Sequence, residues 1–202
     1  MDFTNIIFIY IVIVLSAVVH EFSHAAMAKH LGDNTAEQQG RLTLNPFVHL
    51  DMVGTVILPL LLLFTSGIFL GWAKPVPYNP YNLRDQKTGN LKVAIAGPLS
   101  NIAIAVVLGL VLRFVYFEQG GFPIEGQLIS FVVMVNIVLA IFNLIPVPPL
   151  DGSKIFYDLF PRVGAAVMQL GFFGIILALI LAYSILPPIV SFLFTFITGA
   201  AL

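Results

Sequence analysis

Runs of about 20 apolar residues recur along this chain, and each is long enough to cross the hydrocarbon core of a bilayer as a helix. Backbone in lipid must satisfy its own N–H and C=O groups, so only helices and closed barrels span. The runs here are continuous, without the alternation of barrel strands, which selects helices. They cover residues 3–28, 53–72, 91–115, 128–145 and 163–186; a sixth, 189–202, follows Pro187-Pro188 and is short for a full crossing. Only 9% of the 202 residues are charged, against about 25% in soluble domains. The expectation is an all-α polytopic membrane protein of five to six apolar segments, forming one domain over residues 1–202. Its first run lacks the basic flank of a signal peptide and exceeds the length of a signal core, so it reads as a retained helix. A net charge of −1 offers no electrostatic footprint for nucleic acid.

The connections are informative. "GRLTLNP" (40–46) alternates apolar and polar residues, which predicts a short β-strand or hairpin after the first helix, with an edge that an extended peptide can join. "GWAKPVPYNPYNLRDQKTGN" (71–90) contains Pro75, Pro77 and Pro80, which exclude regular helix. Lys and Arg concentrate at 29–50, at 72–92 and after 145, whereas the 116–126 loop holds Glu118 and Glu125 and no basic residue. The positive-inside rule puts the N-terminus and the 116–126 loop outside and the 29–50 and 72–92 connections inside. Both ends of the 53–72 run then lie inside, so that run is expected to be re-entrant, turning near Pro59 or Gly67. Arg113 is the discordant charge and is expected to snorkel.

Inside the first apolar run stands His20-Glu21-Phe22-Ser23-His24. Polar and charged groups in hydrocarbon cost several kcal/mol unless partnered. On a helix, residues four apart share a face, so two imidazoles can hold one zinc at about 2.0–2.1 Å each. Glu21 projects about 100° further round, within reach of water at the metal as a general base. The chain has no cysteine, so further ligands must be His, Asp or Glu. The candidates are Asp51, Glu118, Glu125, Asp158 and Asp151. Asp151 stands out because "FNLIPVPPLDG" places it just past a proline break at membrane depth, where irregular backbone must be surrounded by protein or a wet cavity. Ser23 is expected to bond back to its own helix, Asn101 to bond between helices, and His30 and His49 to sit at the membrane interface.

H-E-x-x-H in the first helix with a distant N-x-x-P-x-P-P-L-D-G resembles the site-2 protease family of intramembrane zinc metalloproteases. "GRLTLNP", "GWAKPVPYNP" and "AGPLSN" are similar to its compact prokaryotic members, which lack PDZ and CBS modules. The resemblance implies one zinc per chain held by His20, His24 and Asp151, with Glu21 activating water and Asn143 positioning or polarising the scissile carbonyl. It implies a transmembrane protein as substrate, regulated intramembrane proteolysis, a multi-pass location in a prokaryotic plasma membrane and a separate regulatory membrane protein. Two other classes compete. An ion- or proton-coupled transporter would use intramembrane His, Glu and Asp as a path, but leaves the pairing of motif and proline break unexplained. An inactive zinc-binding scaffold would have no need of Glu21.

Overall fold

The computed structural model describes residues 3–59, 61, 71–116 and 123–200. The described chain is mostly helical, without a strand, and forms two compact units, residues 1–89 and 90–202. Four described helices are long and apolar enough to cross a membrane: Ile6–His30, Gly89–Tyr116, Ile124–Asn143 and Gly174–Thr198.

The first unit is organised by α1 (Phe3–His30). At about 1.5 Å per residue its 28 residues exceed the bilayer core. Gly32, at φ +109°, ends it, and the Asp33 N–H closes back on Ala28 O at 2.9 Å, a turn that favours glycine. Two short helices follow, α2 (Thr35–Gln38) and α3 (Pro46–His49).

The strand expected at 40–46 is absent. Residues 41–45 form bends because their polar side chains bond locally: Thr43 Oγ1 accepts the Asn45 N–H at 3.2 Å, and Asn45 Oδ1 accepts the Phe47 N–H at 3.1 Å, capping α3. Such bonds compete with a sheet ladder. His49 is 1% exposed, and its Nε2–H donates to Thr43 O at 2.8 Å.

Beyond α3, a π-helical turn (Met52–Ile57) starts the 53–72 run, whose centre lies outside the described residues. Its two ends meet. The Trp72 N–H donates to Gly54 O at 3.0 Å, Thr55 Oγ1–H donates to Trp72 O at 2.8 Å, and the Lys74 N–H donates to His49 O at 2.9 Å. Tyr10 OH donates to Thr55 O at 3.2 Å, tying this junction to α1.

Asp33, wholly buried past the end of α1, gathers the following loop. Its carboxylate accepts from Thr35 Oγ1 (2.5 Å), the Thr35 N–H (3.2 Å), the Asn79 N–H (2.8 Å) and Asn82 Nδ2 (2.9 Å). Burial alone raises the pKa of such a carboxyl; the hydrogen bonds outweigh it and hold the group below its ordinary 3.8. A folded-state pKa below the unfolded value contributes stability above the unfolded pKa and loses it as pH falls through the folded one. Thermal unfolding of detergent-solubilised protein between pH 7 and pH 3 should therefore show a steeper acid loss in the wild type than in Asp33→Asn. The variant starts less stable at pH 7. Equal acid slopes would rule out this role.

The second unit contains α4 (Gly89–Val111, extended by a π turn to Tyr116), α5 (Ile124–Asn143), α6 (Asp151–Leu159), α7 (Pro161–Met168) and α8 (Gly174–Thr198). Ala105 and Leu112, Val133 and Ile137, and Val190 and Phe194 make its core from the three long helices. Asn101 and Asn136, both fully buried, join α4 to α5 through Nδ2 and Oδ1 at 2.8 Å, as expected of Asn101.

The runs 163–186 and 189–202 are not two segments. Residues 161–168 form a separate short helix, and α8 continues through Pro187-Pro188. Both prolines are exposed, so their rings displace no packed neighbour, and membrane helices tolerate proline. Arg113 has a partner within the protein: its Nη1 donates to Phe196 O at 3.0 Å, satisfying a carbonyl at the end of α8.

Candidate metal centre

Three polar residues of α1, Ser16, His20 and His24, are buried, and their four-residue spacing puts them on one face. His20 and His24 are one turn apart and are 5% and 7% exposed. Their Nε2 atoms lie 3.1 Å apart, with the rings edge-on at a centroid distance of 4.7 Å. Two nitrogens bound to one tetrahedral zinc at about 2.0–2.1 Å stand about 3.3–3.4 Å apart. The pair therefore fits the ion with a shift of a few tenths of an ångström. Ser23 Oγ–H donates to Val19 O at 2.7 Å, so this hydroxyl serves its own helix, as expected.

Glu21, the neighbour of His20 in sequence, is half-buried. Its Oε2 accepts the Val76 N–H at 2.8 Å. Val76 packs with Ala25, Ala36 and Leu42. The small residues Ala25 and Ala28, both fully buried, let the chain approach α1 closely here.

In the second unit, the Pro146–Pro149 stretch interrupts the helices and α6 starts at Asp151. Asp151 is 7% exposed, and Lys154 Nζ lies 3.1 Å from its Oδ1. Gly152 has a steric reason: a Cβ there would sit 2.4 Å from both Leu144 O and Ile145 O. The break thus folds back against the start of α6 and seats the aspartate. Ile145, Val147 and Leu150 pack with Ala178 and Ala182 of α8. Asn143, the last residue of α5, is half-buried and donates Nδ2–H to Leu139 O at 3.0 Å.

The competing carboxylates have other roles. Asp51 Oδ1 caps the turn at 52–57 by accepting the Val53 (3.1 Å) and Gly54 (2.7 Å) N–H groups. Asp158 accepts from Asn90 Nδ2 at 2.7 Å. Glu125 is exposed in the first turn of α5, and Glu118 lies outside the described residues. His30 is exposed at the end of α1. Sequence reasoning overlooked Val76 and Asp33. The available signal was P-V-P, which leaves a single amide donor between two residues that have none.

Comparison with known proteins supports the same chemistry. Residues 124–187, which include Asn143 and Asp151, match Peptidase family M50. Over 184 residues the chain is 39% identical to "Putative zinc metalloprotease YwhC" of Bacillus subtilis, covering 86% of this chain and 79% of the relative. It is 32% identical over 139 residues to "Putative zinc metalloprotease Rip2" of Mycolicibacterium smegmatis, covering 68% of this chain and 51% of the relative. It is 29% identical over 147 residues to "Zinc metalloprotease MJ0392" of Methanocaldococcus jannaschii, covering 73% of this chain and 32% of the relative. The chain thus spans about half the length of Rip2 and a third of MJ0392. No solved structure matches it. With a YwhC-like sequence over most of its length and paired imidazoles in a membrane-spanning helix, the chain belongs to peptidase family M50, the site-2 proteases, and is a zinc metalloprotease.

Proposed function

We propose that this protein hydrolyses peptide bonds in or near transmembrane segments of other membrane proteins, and that residues 1–202 work as one domain. The observation that carries the reading is the buried His20–His24 pair within a helix able to cross the membrane, with Glu21 next to His20 in sequence. His20 and His24 supply two zinc ligands. Asp151 supplies the third, supported by its burial at the start of α6 and by the other uses of Asp51 and Asp158. Three protein ligands would be the usual complement of a catalytic zinc site.

Zinc held by His20, His24 and Asp151 would supply Lewis acidity toward the scissile carbonyl and the attacking water. Glu21 takes the proton from the attacking water and delivers it to the leaving amine nitrogen as the C–N bond breaks. Asn143 spends one of its two Nδ2–H donors on Leu139 O. Its second is available to the carbonyl oxygen as negative charge develops there.

A peptide bond inside a helix is covered and hydrogen-bonded, so the substrate must unwind locally before attack. Water reaches the site through a polar cleft. The bonds joining Gly54 and Thr55 to Trp72 support a re-entrant 53–72 run. A single crossing would separate those ends by about 30 Å. Such a hairpin forms one wall of the cleft. The resemblance to the compact prokaryotic members supports a prokaryotic plasma membrane location and control by a separate membrane protein, and the basic connections support the orientation given above.

Purified protein should carry one zinc per chain and cleave a model transmembrane peptide in detergent or vesicles. Cleavage should stop on chelation and return with added zinc. Zinc-loaded protein that cleaves soluble peptides but spares every transmembrane peptide would overturn the intramembrane reading.

A further inference from the structure

The segment from Lys74 to Asn79 runs without helix or strand past the catalytic helix, held at both ends. At one end the Lys74 N–H donates to His49 O at 2.9 Å; at the other the Asn79 N–H donates to Asp33 Oδ2 at 2.8 Å. Between these anchors lies Pro75-Val76-Pro77. Each proline fixes its own φ and has no N–H, and each forces the residue before it into extended backbone. Val76 therefore carries the single amide donor of the three, on backbone with little freedom. Its side chain is 8% exposed and locked among Ala25, Ala36 and Leu42. That amide donates to Glu21 Oε2 at 2.8 Å.

We propose that Val76, through its backbone N–H, is a positioning residue for the general base: the proline-braced segment, registered by Asp33, holds Glu21 by one oxygen so that the other is presented to the reacting water. A glutamate has three side-chain torsions whose freedom must be given up to hold the carboxylate in one place. Misplacing a reacting group by about 1 Å can cost roughly a hundredfold in rate. A donor fixed to backbone removes that freedom in advance, without a charged neighbour. A carboxylate in the membrane-spanning helix also gains one of the hydrogen bonds its burial requires. The inference rests on Glu21 being the base.

Two measurements decide it, one of them independent of cleavage. Residues 75–77 contain one exchangeable amide, so hydrogen exchange followed by mass spectrometry isolates the Val76 N–H. In Glu21→Ala, Val76 exchange should rise at least about tenfold while the Asn79 amide keeps its protection, which also reports that the fold is retained. In zinc-loaded enzyme, Val76→Pro should lower kcat about thirty- to a hundredfold, with KM and zinc content within about twofold. Val76→Ala loses more packing but keeps the N–H, and should retain kcat within about threefold. Unchanged Val76 exchange in Glu21→Ala, or Val76→Ala and Val76→Pro falling equally, would overturn the clamp. If the wild type fails to cleave transmembrane peptides, the proposed function fails, and the exchange arm still decides whether Val76 holds Glu21.

Discussion

Glu21→Gln is expected to abolish cleavage while the protein keeps one zinc per chain. Gln has nearly the volume of Glu, and its side-chain oxygen can still accept the Val76 N–H that Glu21 accepts at 2.8 Å. The local structure should survive. What disappears is a group able to take a proton from water, and general acid–base catalysis contributes about 10²–10⁴-fold. Metal analysis beside a cleavage assay checks this. The ligand variants should behave differently: His20→Ala, His24→Ala and Asp151→Ala should each lose zinc as well as activity. Removing even an outer-shell partner typically costs about 10–100-fold in metal affinity, and a direct ligand should cost more. Asp151→Ala that still binds zinc and cleaves would remove Asp151 from the site. Asp51 would then be the carboxylate to test, although it caps the turn at 52–57.

The second large effect is one of sidedness. Cysteine placed at Lys87, which is exposed in the 72–92 connection, should resist an impermeant thiol reagent added outside intact cells and react fully once the membrane is opened. The native chain has no cysteine, so the signal has no background. The expectation follows from Lys74, Arg84, Lys87 and Lys92 in this connection and the retention of basic loops on the inner side. It follows also from the meeting of Gly54 and Thr55 with Trp72. Labelling from outside would mean that the 53–72 run crosses once. The late part of α1 and the start of α6 would then be assigned to opposite faces, and Asp151 could not share a zinc with His20 and His24.

Part of the candidate site was legible in the residues alone, because its determinants are local. Four-residue spacing on a helix is enough to stack His20 over His24, and the structure has their Nε2 atoms 3.1 Å apart. Apolar length is enough to define α1, α4 and α5, since lipid leaves the backbone little alternative to helix. The failures came where local patterns competed with packing or capping. Alternation at 40–46 suggested a strand, yet Thr43 and Asn45 spend their oxygens on neighbouring amides. Pro187-Pro188 suggested a helix end, yet both rings lie on an exposed face and α8 runs on to Thr198. Tertiary structure alone decided which amide meets Glu21 and which groups saturate Asp33. The first contact is 55 residues apart in sequence and the second reaches 49. Contacts at that range depend on how the loop after α1 and the 74–82 segment pack, and no periodicity in the sequence records it.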